Sequence, residues 1–337
     1  MRIGLIARSD SRGLGIQTKG YFDHLHPHRT MVVDCPSLKP LPIRRDWFPG
    51  SMWVHGLPSL RDCEQFCRDV DVILSAETMY GSHLPTVAKQ MGVKTVLACN
   101  YEFLNRQDEP TLWAAPSKWH WDDIPNPKVH LPVPVEVDRF TPQVAARASR
   151  FLHVVGRPAV HDRAGTADLL LALENVYTDI TVTITCQEPN YVRGIITAHN
   201  IHLPDNIDLR VCEGDVPDYA DLYDAQHVMI YPRRFGGLSL PMQEACAAGI
   251  PVIAPAISPQ LDWLPREWLV SASKVGDFRA KQRVDLYTVD HLALAEKILR
   301  FANYPVFYRE AAERAVSIAK SLSWEQLRPL YEKVLSA

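Results

Sequence analysis

Arg233, Arg234, Gly236, Gly237, Ser239 and Glu244 fall within twelve consecutive residues, and together these types can do recognisable chemistry. Guanidinium groups and exposed backbone N–H groups attract an anion, and adjacent glycines let the backbone approach it closely. A carboxylate cannot hold a phosphate, but it can accept hydrogen bonds from two neighbouring hydroxyls of a ribose. The elements around these residues must hold them in place. The apolar run His227–Tyr231 reads as a buried strand, and Arg233–Leu238 reads as a loop. Ser239 is an N-cap for a helix with Pro241 in its first turn, Gly249 ends that helix, and Pro251–Ala254 is the next strand. Strand, glycine loop and helix N-terminus make an anion site, because unpaired N–H groups and the helix dipole point at whatever sits there. A Rossmann-type crossover with a merely solvated Glu244 fits the same residues equally well.

Two other stretches repeat the arrangement. Arg2–Ala7 is a strand followed by a loop with Gly13 and Gly15 and then a helical pattern; it lacks the third glycine and ribose acid of a dinucleotide fingerprint. The strand Phe151–Val155 leads into Gly156, Arg157, Arg163 and Gly165 and then a helix. Two fixed cations near a helix N-terminus suit a departing diphosphate, whose bridging oxygen gains charge in the transition state; two surface arginines is the plainer alternative. His161 and Asp162 in that loop read as capping groups rather than as an acid–base pair. Glu77, Asn100 and Glu102 follow the strands 71–76 and 94–99, and in an open parallel sheet ligands bind beyond the carboxyl ends of strands. The D-x-D at Asp69–Asp71 precedes its strand, which is the wrong end for a metal-assisted site, and no metal is expected.

The chain has 337 residues, 47% of them hydrophobic and 22% charged, enough for two domains. No apolar run approaches the roughly 20 residues of a membrane span, and Met1–Ile6 enters a strand directly without the pattern of a signal peptide. The seven cysteines lie mostly in apolar runs; Cys63 and Cys67 have no second metal-type pair beside them and read as buried thiols. A cytoplasmic location is expected. The net charge of −3 excludes a globally basic nucleic-acid binder but not a local patch. Residues 1–56 carry eight Arg or Lys against four Asp, and the irregular, proline-rich segment 35–60 interleaves Lys39, Arg44 and Arg45 with Trp47, Phe48 and Trp53. Such a segment can stack bases and neutralise phosphates, or it can be a surface loop whose tryptophans cover the core.

The stretch Tyr231–Pro255 resembles the donor-binding signature of GT-B glycosyltransferases, specifically the retaining GT4-like group. Pro232, Phe235, Gly237, Leu238, Glu244, Ala245, Ala247, Gly249 and Pro251–Ala254 match its pattern. The first glutamate of the family's E-x7-E pair is missing, with Arg234 nearest its place. In that family the missing glutamate touches the transferred sugar and the second holds the nucleotide ribose, a role that passes to Glu244. Further partial matches lie at Val133–Pro142 (the interdomain motif), Gly156–Gly165, Glu213–Ala225 and Ser323–Glu325, covering 150–337 well and 1–149 loosely.

The resemblance implies an α/β GT-B fold, with two Rossmann-like doubly wound parallel sheets facing across a cleft and a C-terminal helix crossing back. The expected boundaries are 1–145, 146–318 and 319–337. It implies no tightly bound cofactor but a nucleotide-sugar co-substrate, a UDP-sugar foremost, and metal-independent transfer with retention. The donor residues it implies are Gly13, Gly15, Val216, Arg234, Phe235, Gly236, Gly237, Leu238 and Glu244, with backbone near Val216 reading the base. Arg157, Arg163 and Glu102 take the catalytic places, and Glu77, Asn100, Arg44 and Arg45 the acceptor side. A first domain this short suits phage or bacterial relatives that modify proteins, glycans or hydroxymethylated DNA bases, the last reached through the 35–60 segment. The alternative is a non-catalytic nucleotide- or sugar-binding protein of the same fold.

Overall fold

The structure, a computed structural model, describes residues 1–35 and 43–337. Lys39 and the prolines at 36, 40 and 42 of the basic segment lie outside the described residues. The chain divides into two compact units, unit 1 comprising Met1–Pro134, Ala280–Gln282 and Trp324–Ala337, and unit 2 Val135–Arg279 and Arg283–Ser323.

In unit 1 the elements run β1 (Ile3–Ala7), α1 (Gly13–Leu25), β2 (Arg29–Asp34), β3 (Met52–His55), α2 (Leu60–Cys67), β4 (Val72–Ala76), α3 (His83–Gln90), β5 (Lys94–Ala98), β6 (Leu112–Ala115) and β7 (Lys128–His130). Among the described residues these strands form one parallel sheet in the order β3-β2-β1-β4-β5-β6-β7. β1 and β4 are buried along their whole length. Apolar runs such as IGLIA and VILSA are what a parallel strand covered on both faces requires. The order reverses between β1 and β4, so the crevice of this sheet opens beyond Ala7 and Ala76. Sequence alone reads 35–60 as irregular, yet Met52–His55 joins the sheet edge beside β2. It is short and half exposed, and only the partner strand reveals it. Cys63 and Cys67 are buried on α2, and no cluster of three metal-ligating side chains occurs among the described residues.

In unit 2 the elements are β8 (Arg150–Gly156), α4 (Thr166–Leu173), β9 (Ile180–Cys186), α5 (Tyr191–His199), β10 (Ile207–Glu213), β11 (Val228–Ile230), α6 (Leu240–Ala247), β12 (Val252–Pro255), α7 (Gln260–Trp263), β13 (Leu269–Val270), β14 (Ala272–Arg279), β15 (Arg283–Val289), α8 (His291–Asn303) and α9 (Pro305–Ser321). The parallel sheet runs β10-β9-β8-β11-β12-β13, so its reversal lies between β8 and β11. The antiparallel pair β14–β15 stands apart from that sheet. Its residues are mostly half-buried or exposed and only loosely alternating, so it escapes a reading by hydrophobic period.

The last helix, α10 (Trp324–Ser336), belongs to unit 1. Trp324 stacks on His24 at 4.6 Å and meets Tyr21 edge-on. The buried Tyr331 hydroxyl donates to the Pro132 carbonyl at 3.0 Å and lies 3.3 Å from the Tyr21 hydroxyl. Tyr331→Phe removes both bonds and leaves the half-buried Pro132 carbonyl without this donor. Thermal denaturation should show a loss of about 1–2 kcal/mol; an unchanged midpoint would mean the bonds contribute nothing net. No helix among the described residues is long and apolar enough to cross a membrane.

Candidate functional site

The reversal between β8 and β11 brings together the loop after Gly156 and the loop after Ile230. His153, fully buried on β8, fastens both. One ring nitrogen, Nδ1, lies 2.8 Å from the Ile230 carbonyl and Nε2 lies 3.0 Å from Thr166 Oγ1. A carbonyl can only accept, so Nδ1 carries the proton and Nε2 accepts from the threonine. Burial lowers the pKa and keeps this ring neutral. In the sequence His153 is a lone histidine inside an apolar strand, and no neighbouring residue singles it out.

The two loops touch through backbone. Gly165 has φ +76°, and a Cβ there would overlap the Pro232 carbonyl. Gly236 has φ +115°, and a Cβ there would overlap the Arg233 guanidinium and lie 2.7 Å from Nη2 of Arg163. Arg163 is also 5.3 Å from the centre of the Phe235 ring, within cation–π range. Arg233 is buried: its Nε donates to the Phe235 carbonyl at 2.8 Å and its Nη1 to the Leu238 carbonyl. It shapes the glycine loop from within. Nothing in an Arg-Arg pair says which member points inward, so this role was not legible in sequence. Arg234 donates to the carbonyls of Tyr287 at 2.9 Å and His161 at 3.1 Å. Asp162 accepts from Ala167 N–H at 2.8 Å and from the Tyr191 hydroxyl at 2.9 Å, the local capping role. Arg157 is exposed and makes no hydrogen bond or ion pair among the described residues.

Ser239 sits at the N-cap of α6, but its buried Oγ makes no hydrogen bond to the helix. One turn further, Glu244 is buried and accepts from the Tyr223 hydroxyl at 2.6 Å. Desolvation pushes its carboxyl up to about 7, with the Tyr223 bond and the Arg139 charge acting the other way. Arg139 lies 4.4 Å from the Tyr219 ring centre and pairs with both oxygens of Asp218 at 2.9 Å. Val216 is 39% exposed, on the loop leading to Tyr219. Gly237 is buried beside Gly236, and Leu238 is half-buried.

In unit 1 the corresponding crevice gathers a different set. Gly13 is exposed at the start of α1, whose N-cap makes no side-chain bond. Gly15 packs so tightly that a Cβ would overlap the Asp10 carbonyl. The loop between them and β1 pairs with the backbone at Arg44, through Arg44 N–H to the Ser9 carbonyl at 3.0 Å and Ser9 Oγ to the Arg44 carbonyl at 2.6 Å. Beyond β4 and β5, Asn100 Nδ2 donates to Glu77 Oε1 at 2.6 Å, while Asn100 Oδ1 is buried without a partner among the described residues. Glu77 and Tyr80 hold φ of +62° and +54°, unusual for residues other than glycine, asparagine and aspartate. Glu102 is buried at 3% exposure in a single turn of 3-10 helix, Tyr101–Phe103. Arg44 and Arg45 each lie 5.1 Å from a tryptophan ring centre, Trp47 and Trp53 respectively, so one face of each indole is covered by its own arginine. A shallow cavity of about 300 Å³ lies elsewhere, among Arg29, Arg61, Glu64, Gln65 and Arg68.

No family model and no curated protein matches the sequence. Solved structures do match in shape. HepE of Anabaena in complex with UDP superposes with a TM-score of 0.71 at 12% identity, covering 100% of both chains. A glycosyltransferase from Rickettsia africae gives 0.69 at 13% identity, covering 99% of this chain and 97% of that one. Sucrose-phosphate synthase from Thermosynechococcus elongatus gives 0.66 at 16% identity, over 100% and 99%. Likeness over the whole chain gives this protein the GT-B fold.

Proposed function

We propose that this chain is a glycosyltransferase that takes its sugar from a nucleotide-sugar donor held in unit 2. One observation carries the reading: at the sheet reversal the Arg163 guanidinium lies against Gly236, in a glycine loop that opens α6, with Glu244 one turn inside. That arrangement offers a cation and helix-end N–H groups to a diphosphate and a carboxylate to a ribose. HepE, of the same fold, binds UDP and UDP-glucose, which supports a UDP-sugar as the donor here.

In this reading the acceptor oxygen bonds to the anomeric carbon as the bond from that carbon to the β-phosphate oxygen breaks. The acceptor proton passes to the departing diphosphate, whose charge is met by Arg163, by Arg157 and by the N–H groups of residues 235–238. Transfer proceeds with retention and without a metal. In unit 1, Gly13 and Gly15 offer backbone N–H groups at the start of α1, and Glu77, Asn100 and Glu102 serve an acceptor, whether glycan, protein or modified DNA base. A second reading, a binding protein without turnover, draws on the commitment of the Arg234 guanidinium to two backbone carbonyls.

Calorimetry with UDP, GDP, ADP and TDP tests the donor site. One diphosphate should bind, and Arg163→Ala should weaken it roughly 10- to 100-fold while leaving the bare nucleoside unaffected, as expected for loss of a charge-assisted contact. Equal losses for nucleoside and diphosphate would place the phosphate elsewhere. Slow release of free sugar from the matching nucleotide sugar would separate the enzyme from the binding protein.

A further inference from the structure

Arg234 joins three segments of unit 2. Its own N–H donates to the Arg163 carbonyl at 3.0 Å, and its carbonyl accepts from Tyr287 N–H at 3.1 Å. Its Nε donates to the Tyr287 carbonyl at 2.9 Å and its Nη1 to the His161 carbonyl at 3.1 Å. The glycine loop, the loop after β8 and strand β15 therefore meet at one side chain.

Two of these segments need such a fastening. The pair β14–β15 is a two-stranded ribbon outside the main sheet, a form with little stability of its own. Within unit 2 it is held by Tyr287 on Arg234, by Thr288 Oγ1 donating to Asp168 at 2.7 Å, and by Phe278, which meets Phe235 at 4.8 Å and His161 at 4.6 Å. In the loop after β8, His161 and Asp162 have φ of +57° and +46°. Consecutive left-handed residues persist only where their surroundings over-determine them. Arg163 is the next residue, and its guanidinium rests on the same Phe235 ring that Phe278 supports.

We infer that Arg234 is a positioning residue: it locks the β14–β15 ribbon and the 161–162 turn to the glycine loop, and so fixes the guanidinium of Arg163 beside Gly236. This rests on the donor-site reading above. Arginine suits the task because its planar fork directs separate N–H groups at two carbonyls, whereas a lysine ammonium is a single point on a flexible stem.

Two measurements on the full chain test it. Amide hydrogen exchange of Arg234→Lys, which keeps the charge, should rise at least tenfold over 272–279 and 283–289 while β8, β9 and β11 exchange as in the wild type. Unchanged exchange in the ribbon overturns the inference without any ligand. UDP and uridine affinities are then compared in Arg234→Ala, Arg163→Ala and the double variant. UDP binding should fall about tenfold in Arg234→Ala with uridine unchanged, and Arg234→Ala should add nothing in the Arg163→Ala background. Additive losses would make Arg234 a direct phosphate contact, and equal losses for UDP and uridine would make it a general structural support; either overturns the positioning role. A wild-type chain that binds neither UDP nor another nucleoside diphosphate removes the donor reading itself, a result distinct from all of these.

Discussion

Gly165→Ala should lower the stability of the protein by about 3–5 kcal/mol, with the thermal midpoint falling by roughly 10 °C. Gly165 precedes α4 at φ +76°, a conformation that costs an L-residue roughly 1–2 kcal/mol before any contact is considered. The larger part is contact. A Cβ would overlap the Pro232 carbonyl oxygen and lie 2.8 Å from its carbon, and both are backbone, so no rotamer change relieves the clash. Either the loop after β8 or the loop after β11 must shift, and these two loops form the candidate site. Gly194 provides the contrast: it lies inside α5, with nothing within 4 Å of the place an alanine methyl would take. Gly194→Ala should stabilise by about 0.5–1 kcal/mol. Calorimetric scans of both variants decide the matter. A loss below about 1 kcal/mol for Gly165→Ala would mean the two loops give way freely and are not held in register as described.

Glu244→Gln should stabilise the protein above pH 7 and weaken nucleotide binding at once. Burial raises the carboxyl from its ordinary value of 4.5 to about 7. A raised acid binds its proton more tightly when folded, so stability is highest below the unfolded pKa and declines as pH climbs from 4.5 to 7. Above pH 7 the ionised group carries its full cost, about 3 kcal/mol. Glutamine keeps an acceptor for Tyr223 and removes the charge, so the variant should exceed the wild type by up to that amount at pH 8 and match it at pH 4. In the proposed donor site Glu244 accepts from the ribose hydroxyls, so the same change should lower nucleoside diphosphate affinity about tenfold. In the wild type, that affinity should itself weaken as pH falls below 7 and Glu244 takes up a proton. Denaturation curves at the two pH values, with calorimetric titrations beside them, check both halves. A stability difference from wild type that is the same at pH 4 and pH 8 would mean the Glu244 carboxyl titrates in the folded chain as it does in the unfolded one, with no cost from burial.

A buried polar group short of hydrogen-bond partners costs a folded protein stability. Glu244 fits this description in unit 2, and Asn100 Oδ1, buried and without a partner among the described residues, does so in unit 1. The strained turns at Glu77, Tyr80, His161 and Asp162 flank the same two crevices, where stored backbone strain is commonly found.

Much of this was present in the residues themselves. Unbroken apolar runs such as those of β1, β4 and β12, separated by helical stretches, can only be covered on both faces, and a parallel α/β sheet follows from that alone. Glycines between a strand and a helix announced the loops at Gly13–Gly15, Gly156–Gly165 and Gly236–Gly237, because positive φ and close backbone approach leave a mark in residue type. Other features depend on partners distant in sequence, which no local pattern encodes. Met52–His55 is a strand only because β2 lies beside it, and the β14–β15 ribbon is held by Arg234, Asp168 and Phe235 rather than by its own alternation. Which of two neighbouring arginines turns inward, which histidine locks two strands to a helix, and how far burial lifts a glutamate are matters of desolvation and geometry. Only the tertiary structure decides them: Arg233 and Arg234 have the same side chain in adjacent positions and hold entirely different partners.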